Sequence, residues 1–201
     1  IILIGRLFLD TRVRTRKEIE EAVSVPFLGE IPLVKHSRME RVKGRKSKTP
    51  ERIIYYDGMS KSILTESLRI LTTNIEFMKD SASKGNVITL TSFNPGAGKS
   101  FVMSNIAACI ADSNKTVVMV DCDLRKRSMS RSFGHSHKTK GVSNYLYDTS
   151  LQLDSIIFKD VAPGIDLIPA GMVPPNPVVL LKRDRFEQMI RDLRDRYDYV
   201  L

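Results

Sequence analysis

The sequence contains few cysteines, and their placement argues against a fold held together by disulfides. Only two occur in 201 residues, Cys109 in a predicted helix and Cys122 between two acidic residues. Small secreted domains that depend on disulfides carry a denser framework of them. The cysteine content therefore favours the reducing cytosol and a fold built on a hydrophobic core, which a chain of this length is able to bury.

The chain also lacks an apolar segment long enough to cross a bilayer. The stretch Ile1–Leu9 is mostly apolar, but a spanning helix needs about 20 such residues, and the stretch does not have the layout of a signal peptide. It is either the end of a transmembrane helix that precedes the chain or a short helix or strand packed on the domain. Because the chain starts at Ile1 and stops within a predicted strand at Leu201, we expect both ends to have been cut from a longer protein.

Histidine is scarce as well. His135 and His137 stand close together in the segment Phe133–Lys138. Structural zinc sites take four Cys or His ligands at characteristic spacings, and no further Cys or His stands at such a spacing from this pair. We therefore expect a mobile, solvated loop here and not a metal site.

Acidic residues are in the minority. The sequence has 23 Asp and Glu against 32 Lys and Arg, which gives a net charge of +9. Such an excess indicates an anionic partner, which could be a polyphosphate, an acidic membrane face or nucleic acid. We expect no nucleic-acid partner, because the basic residues cluster in a linker and not in a recognisable reading helix.

The chain divides into three predicted regions. Residues 1–33 form an N-terminal segment, in which Pro26 and Pro32 favour extended backbone. Residues 34–58 form a linker crowded with basic residues, among them Lys35, Arg38, Arg41, Lys43, Arg45, Lys46 and Lys48. Such a charge run is either a solvated tether or, beside a membrane, a surface for anionic lipid headgroups. Residues 59–201 form the main domain.

Helices and strands alternate in the main domain, which is the pattern of an α/β fold with a largely parallel sheet flanked by helices. The first helix is predicted at Ser62–Met78, with an apolar side made of Ile63, Ile70, Leu71, Ile75 and Phe77. Strands are predicted at Val87–Thr91, Thr116–Val120, Ile165–Ile168 and Tyr197–Leu201. Further helices are predicted around Lys17–Val23 and at Phe101–Ala111, Gly141–Tyr147, Val178–Leu181 and Arg185–Arg196.

A glycine-rich loop, Asn94-Pro95-Gly96-Ala97-Gly98-Lys99-Ser100, follows the first predicted strand and opens a helix. Its glycines would let the backbone approach phosphate oxygens, and N–H groups at the positive end of the helix would point at the same ligand. Lys99 would contact the β- and γ-phosphates, and the Ser100 hydroxyl would bind Mg²⁺. The predicted nucleotide-binding residues are Gly96, Ala97, Gly98, Lys99, Ser100 and Phe101. The strict pattern has a glycine where this chain has Phe93, so a plain glycine-rich turn is the alternative.

The apolar strand Val118-Met119-Val120 runs into two acids, Asp121 and Asp123. This strand is predicted to lie beside the phosphate loop, at the edge where α/β sheets bind ligands. Side chains two apart on a strand face the same way, so both carboxylates could reach one Mg²⁺. With Lys99, the two acids are the predicted catalytic residues: one completes the Mg²⁺ shell and the other accepts the proton of an attacking hydroxyl. Alternatively, Asp123 caps the next turn and pairs with Arg125.

The acidic motif resembles one found in bacterial tyrosine kinases. The apolar triplet followed by Asp-x-Asp-x-Arg, from Val118 to Arg125, is similar to the second Walker motif of these P-loop enzymes. The likeness covers nearly the whole chain. Other segments that resemble the family are Leu28–Pro32 (the juxtamembrane segment), Glu66–Arg69 with Thr73–Ile75 (the ring-assembly helix), Ile168–Gly171 and Pro174–Pro177 (the region before the third Walker strand), and Tyr197–Leu201 (the start of that strand).

The resemblance implies a P-loop NTPase-like fold that uses ATP and Mg²⁺. The implied activity is transfer of the γ-phosphoryl group to tyrosine, in trans between subunits of a homo-oligomer that Glu66 and Arg69 help to assemble. The implied location is the cytoplasmic face of the bacterial inner membrane, through N-terminal transmembrane helices outside this chain. The implied partners are the machinery that polymerises and exports a capsular polysaccharide or exopolysaccharide, and a tyrosine phosphatase.

The chain departs from the family pattern in three places. Thr72 stands where the ring-assembly helix has a second arginine, Lys126-Arg127 replace the usual continuation after the acids, and the third Walker aspartate and the tyrosine cluster lie beyond the chain. A fragment without that aspartate is expected to be weakly active. Two alternatives stay open: a nucleotide-binding regulator without kinase activity, and a partition or division-site ATPase, which typically has a second lysine where this chain has Asn94.

Overall fold

A five-stranded, mostly parallel sheet lies at the centre of the molecule. It is seen in a computed structural model, which describes residues 16–32, 63–78 and 85–201. In chain order the strands are β1 (Asn86–Val87), β2 (Val117–Val120), β3 (Phe158–Ala162), β4 (Ile165–Ile168) and β5 (Tyr199–Val200). Their order across the sheet is β1-β5-β2-β4-β3. Strand β3 is antiparallel to β4, and the other neighbouring pairs are parallel. The predicted fold class is confirmed.

Helices pack on both faces of this sheet. They are α1 (Arg16–Ala22), α2 (Ile63–Phe77), α3 (Lys99–Asp112), α4 (Ser128–Ser132), α5 (Val142–Tyr147), α6 (Pro177–Leu181) and α7 (Asp184–Arg196), with a 3₁₀ turn at Leu153–Ile156. The predicted helices that fall in described residues are therefore present within a few residues of their expected bounds. The predicted basic linker at 34–58 and the opening stretch Ile1–Leu9 lie outside the described residues.

Strand β2 is buried on both faces, which divides the core into two layers. Val117 and Met119 pack in a cluster with the α3 residue Ile110, whereas Val118 and Val120 pack in a second cluster with residues of α5 and α7. Successive side chains of a strand point to opposite faces, so a strand covered by helices on both sides must be apolar at every position. The continuous run Val117–Val120 meets that requirement, and it holds the acids that follow at a rigid strand end.

The predicted apolar side of α2 is partly wrong. Ile63, Ile70 and Phe77 are 80%, 50% and 84% exposed, while Leu64 and Leu68 are buried and Leu71 and Ile75 pack against the core. The helix carries apolar residues on two faces, and their spacing in the sequence does not show which face packs on the domain. The face with residues at i, i+4, i+7 and i+11 is the one that packs on the domain.

Two strand predictions need correction. Strand β1 is Asn86–Val87 and does not extend to Thr91. Its residues pair with Tyr199 and Val200 of β5, and in the part of the chain that the structure describes the last backbone bond to β5 comes from the Ile88 amide to the Val200 oxygen. Strand β3 was not predicted. It contains Lys159 and Asp160 in place of an alternating apolar pattern. It is held by antiparallel pairing with β4 and by side-chain contacts with Asp166 and Tyr197.

One polar cluster fastens the β3–β4 hairpin to the end of α7. Lys159 Nζ lies 2.7 Å from Asp166 Oδ2 and donates to the Tyr197 hydroxyl, also at 2.7 Å, while that hydroxyl donates to Asp166 Oδ2 at 2.5 Å. The Asp160 amide donates to Asp166 Oδ1 at 2.9 Å. Burial alone would raise the pKa of Asp166, but these hydrogen bonds outweigh it and hold that pKa below its ordinary value.

Replacing Asp166 by Asn is expected to lower the free energy of unfolding by about 1–2 kcal/mol at pH 7, because the three hydrogen bonds to its charged carboxylate weaken or are lost. Since the folded state lowers the pKa of Asp166, its contribution is complete above the unfolded pKa of about 3.9 and is lost as pH falls through the lower folded value. Urea unfolding at pH 7 and at pH 3 should show a smaller difference between wild type and variant at pH 3. Asp195→Asn, which changes an exposed acid on α7, is the control; an equal loss in both variants would contradict this account.

The described N-terminal segment packs on α2. The Asn74 side chain donates from Nδ2 to the backbone oxygen of Leu28 at 2.7 Å, and Gly29 lies against Leu71. This contact joins two segments that resemble the family, 28–32 and 66–75.

Among the described residues, no helix is both long enough and apolar enough to cross a membrane.

Candidate active site

Three loops meet at the C-terminal edge of the sheet. They follow β1, β2 and β4 and carry residues 88–98, 121–127 and 169–176. These strands run parallel, so their loops share the edge at which α/β sheets bind ligands. The expectation that the acid-bearing strand adjoins the loop-bearing strand is wrong, because β5 lies between β1 and β2. The two loops are therefore separated by about two strand spacings, roughly 10 Å.

The loop after β1 has the backbone conformation that the predicted phosphate loop requires. Gly96 and Gly98 have φ values of 81° and 92°, in the left-handed region that side chains with a Cβ rarely adopt. A Cβ at either position would meet no heavy atom within 4 Å, so it is the backbone conformation that calls for glycine. Helix α3 begins at Lys99, directly after the second glycine, and no side chain caps it. Its first N–H groups are therefore oriented to bind an anion.

Lys99 folds back onto its own loop. Its ammonium group donates to Ser92 Oγ at 2.7 Å, and that hydroxyl donates to the Asn94 backbone oxygen at 2.8 Å. A neutral hydroxyl satisfies one N–H of the ammonium group without neutralising its charge. The cation is thus held in place beside the glycines by a contact that a phosphate oxygen could replace. Ser92 was not identified from the sequence.

Asp121 is buried at the end of β2, with 4% of the residue exposed. Its Oδ2 accepts from the Ser130 amide at 2.8 Å and from the Ser130 hydroxyl at 2.5 Å, and its Oδ1 accepts from the Asp123 amide at 3.2 Å. Burial raises the pKa of Asp121, and the bonds from Ser130 oppose that rise. Ser130 Oγ in turn accepts from the Ala170 amide at 2.9 Å. The serine was not predicted, and it connects the acid to the loop after β4.

Asp123 is exposed and caps a turn. Its Oδ1 accepts from the Lys126 amide at 3.0 Å, and its backbone oxygen accepts from the Arg127 amide at 2.8 Å. Contrary to the prediction from the sequence, the two acids do not lie on a strand, because β2 ends at Val120 and the chain turns immediately. The alternative interpretation of Asp123 as a turn cap is what the structure contains, although its partner is the amide of Lys126 and not the side chain of Arg125. A role for Asp123 in catalysis stays a prediction.

The loop after β4 is fastened to the start of α5. The Val142 amide donates to the Pro169 oxygen at 2.8 Å and the Ser143 amide to the Ala170 oxygen at 3.0 Å. Two side chains add to this, since Ser143 Oγ donates to the Met172 oxygen at 2.6 Å and Asn144 Oδ1 accepts from the Met172 amide at 3.2 Å. The backbones approach closely at Gly141 and Gly171. This contact fixes the side of the site away from the phosphate loop.

The donor groups present suit a hydrated Mg²⁺ that arrives with a nucleotide. They are the hydroxyl of Ser100 and the carboxylates of Asp121 and Asp123, all oxygen ligands of the type that Mg²⁺ prefers. In the described ranges, no group of three or more His, Cys, Asp or Glu side chains is arranged to hold a metal ion by itself. Mg²⁺ in nucleotide sites commonly uses one or two protein oxygens, phosphate oxygens and water. The residues therefore fit the ion.

His135, expected in a solvated loop, instead packs edge-on against Phe158.

Comparison with known proteins shows similarity over the part of the chain that carries the candidate site. Residues 85–201 match a family model described as an AAA domain. The tyrosine-protein kinase wzc of Salmonella typhimurium is 36% identical over 144 residues, which is 72% of this chain and 20% of that protein. The chain thus spans about a fifth of the length of the curated relatives that it matches.

Solved structures also match most of the chain, and two of them are kinase domains of named tyrosine kinases. The kinase domain of Escherichia coli tyrosine kinase ETK superposes with a TM-score of 0.79 at 32% identity, covering 92% of this chain and 70% of that chain. The BceF tyrosine kinase domain superposes with a TM-score of 0.75 at 32% identity, covering 94% of this chain and 75% of that chain. Both matches are with P-loop kinase domains, a nucleotide-binding fold.

Proposed function

Because this chain belongs to the family of bacterial tyrosine-kinase domains, we propose that it transfers the γ-phosphoryl group of ATP to tyrosine side chains, in trans between neighbouring copies. The observation that best supports this proposal is the shared sheet edge. There, the Lys99 ammonium group stands beside left-handed glycines at the uncapped start of α3, and Asp121 stands at the end of β2. Phosphoryl transfer depends mainly on positioning and on charge neutralisation, and this edge supplies groups for both.

The phosphate loop would hold the polyphosphate. The amides of residues 97–101 would donate to phosphate oxygens, and Lys99 would leave Ser92 to contact the β- and γ-phosphates. The exchange replaces a bond to a neutral hydroxyl by a charge-assisted bond, which is about twice as strong. Ser92 thus holds the lysine against the loop before the nucleotide arrives, which limits the side-chain entropy lost on binding.

The acids would serve the metal and the acceptor. Ser100 and Asp121 would hold Mg²⁺ directly or through water, and the bound ion would neutralise charge on the phosphates. Asp123 lies next to Asp121 but is exposed, so its carboxylate is accessible to an incoming tyrosine hydroxyl. A carboxylate has about four lone-pair sites, so the single bond from Lys126 leaves capacity to accept the hydroxyl proton.

Assembly and location are also part of this proposal. We propose that Glu66 and Arg69 contribute to a homo-oligomer; both lie on the exposed side of α2. Thr72 is buried instead, and its hydroxyl donates to the Leu68 oxygen at 2.9 Å. Because Thr72 lies on the packed face of α2, its difference from the family's arginine does not change the exposed residues Glu66 and Arg69. The remaining proposals are attachment to the cytoplasmic face of the bacterial inner membrane, control of capsular polysaccharide or exopolysaccharide synthesis and export, and reset by a tyrosine phosphatase.

The full-length protein, incubated with ATP and Mg²⁺, is expected to accumulate phosphotyrosine. Among the described residues, no group of three or more acidic, His or Cys side chains would hold the ion by itself, so a chelator should be able to remove Mg²⁺ from the site. Chelation should reduce the initial rate at least about 100-fold, and added Mg²⁺ should restore it. The measurement is an anti-phosphotyrosine blot with quantified time points. The same protein with ADP in place of ATP is the control. Tight binding of ATP–Mg²⁺ without any phosphotyrosine, even on an added tyrosine peptide, would favour the regulator without kinase activity.

A further inference from the structure

Arg127 is held in an unusual conformation at the edge of the candidate site. It has φ 50° and ψ 42°, the left-handed region, although it is not glycine. That conformation costs roughly 1–2 kcal/mol for a residue with a Cβ, and such strain tends to occur at functional sites. The backbone is fixed on both sides, because the Arg127 amide donates to the Asp123 oxygen and its own oxygen accepts from the Arg131 amide.

The guanidinium group of Arg127 is not fully satisfied within the described structure. Its Nε is buried and has no hydrogen-bond partner there. Its Nη1 makes one long contact, 3.4 Å, to the Gly171 oxygen. A guanidinium group has five donors in a planar fork, and a buried donor without an acceptor is unfavourable. Strain and an unpaired donor in one residue indicate that this side chain is placed for an acceptor from outside the chain.

The position of Arg127 separates it from the phosphate loop. The acid turn follows β2, and the loop that carries Gly171 follows β4, on the side of β2 opposite to β5 and β1. The nucleotide polyphosphate would be anchored over β1 and α3, about three strand spacings, roughly 15 Å, from the loop after β4. Arg127 therefore lies on the side of Asp121 and Asp123 away from the phosphate loop, where a phosphorylated side chain that has moved away from the nucleotide would be bound.

The surroundings of the guanidinium group suit an aromatic phosphate. Met172 and Val173 directly follow Gly171 in the loop and are 50% and 51% exposed. They put exposed apolar surface directly after the backbone oxygen that the guanidinium group contacts, and an aryl ring that carries a phosphate would use both the cation and that surface. Arginine binds phosphate through two parallel N–H···O bonds. Because the Nε is buried, the guanidinium group would have to turn toward the phosphate for this atom to gain an acceptor.

We propose that Arg127, with Met172 and Val173, forms a subsite for the phosphate of a phosphorylated tyrosine on the acceptor chain. This rests on the proposed kinase function, since it gives the product of that reaction a binding group. In the subsite, the guanidinium group donates to two phosphate oxygens, and the tyrosine ring lies against Met172 and Val173. The subsite retains a phosphorylated acceptor without contacting the nucleotide.

The test compares the full-length wild type with Arg127→Gly. Glycine accepts the left-handed backbone, so we expect an unfolding temperature without ligand that is unchanged or a few degrees higher. Affinity for a phosphotyrosine peptide with neutral flanking residues should fall at least about tenfold by calorimetry. Affinity for ADP–Mg²⁺ should stay within about twofold. Arg131→Ala, which removes an exposed charge on α4, is the matched control and should leave all three values unchanged.

Several outcomes would overturn the subsite. One is equal phosphopeptide affinity in wild type and Arg127→Gly, and another is a marked fall in unfolding temperature, which would assign Arg127 a structural role. A tenfold loss for ADP–Mg²⁺ would place the guanidinium group on the nucleotide. An equal loss for a peptide with glutamate in place of phosphotyrosine would make it a carboxylate site. A wild type that binds the phosphopeptide through Arg127 but forms no phosphotyrosine from ATP would keep the subsite and reject the kinase function, so the two failures are distinguishable.

Discussion

Replacement of Lys99 by Met in the full-length protein is expected to abolish phosphotyrosine formation. Methionine keeps the length and apolar stem of the side chain but removes the only charge that the phosphate loop itself contributes. Loss of a group placed on the transferred phosphoryl costs at least about 100-fold in rate, by analogy with the removal of other transition-state donors. The initial rate on an anti-phosphotyrosine blot, with the affinity for ATP–Mg²⁺ measured in parallel, tests this.

Two control variants separate the charge of Lys99 from its structural contact. Lys115→Met removes an exposed lysine just before β2 and should leave the rate unchanged. Ser92→Ala removes the 2.7 Å contact to the ammonium group but keeps the cation, so its rate should stay within a few-fold of wild type. An undiminished phosphotyrosine signal in the Lys99→Met protein would remove the kinase assignment.

Replacement of Gly141 by Ala is expected to destabilise the domain strongly. An added Cβ would stand 1.9 Å from the Pro169 oxygen and 2.7 Å from the Gly171 amide nitrogen. Both are backbone atoms, so no side chain is able to move aside, and the loop after β4 would have to separate from α5. With the loss of the amide contacts from Val142 and Ser143, we expect the free energy of unfolding to fall by about 3 kcal/mol or more. In a domain of this size the unfolding temperature would drop by about 10 °C.

Gly134→Ala is the matched control for that experiment. Gly134 has a φ of 81°, but a Cβ there would meet no heavy atom within 4 Å. Its cost is therefore confined to backbone strain, about 1 kcal/mol. Differential scanning calorimetry of both variants gives the comparison. Equal destabilisation would show that the close approach of Gly141 to the loop after β4 does not hold the site.

Most of the architecture follows from local patterns in the sequence. The run Val117–Val120 is apolar at every position, which is typical of a strand covered on both faces. Gly96 and Gly98 have the positive φ values expected of a loop that admits phosphate. These features depend on residues that are adjacent in the chain, so their spacing is sufficient to predict them. Helix α2 was harder, because it carries apolar residues on two faces and only the packed domain distinguishes them.

The inner contacts of the site depend on residues that are distant in sequence. Ser130 holds Asp121 from nine positions away, and the Gly171 oxygen receives Arg127 from 44 positions away. Serines and arginines are common on surfaces, so nothing in their local sequence marks these two as partners of the site. The strand order is similarly non-local: β5 lies between β1 and β2, and no local pattern indicates that insertion.

The central position of β5 has a consequence for how the protein is made on the ribosome. Within the described sheet, β1 is joined to the other strands only through β5, which follows it by more than 100 residues. At a translation rate of roughly 10 residues per second, about ten seconds separate the emergence of the two strands. During that interval the sheet that positions the glycine loop is incomplete. The edges of β1 and β2 that later pair with β5 both lack a partner strand. Nascent chains of this protein are therefore expected to need chaperone protection until β5 has emerged and paired with both strands.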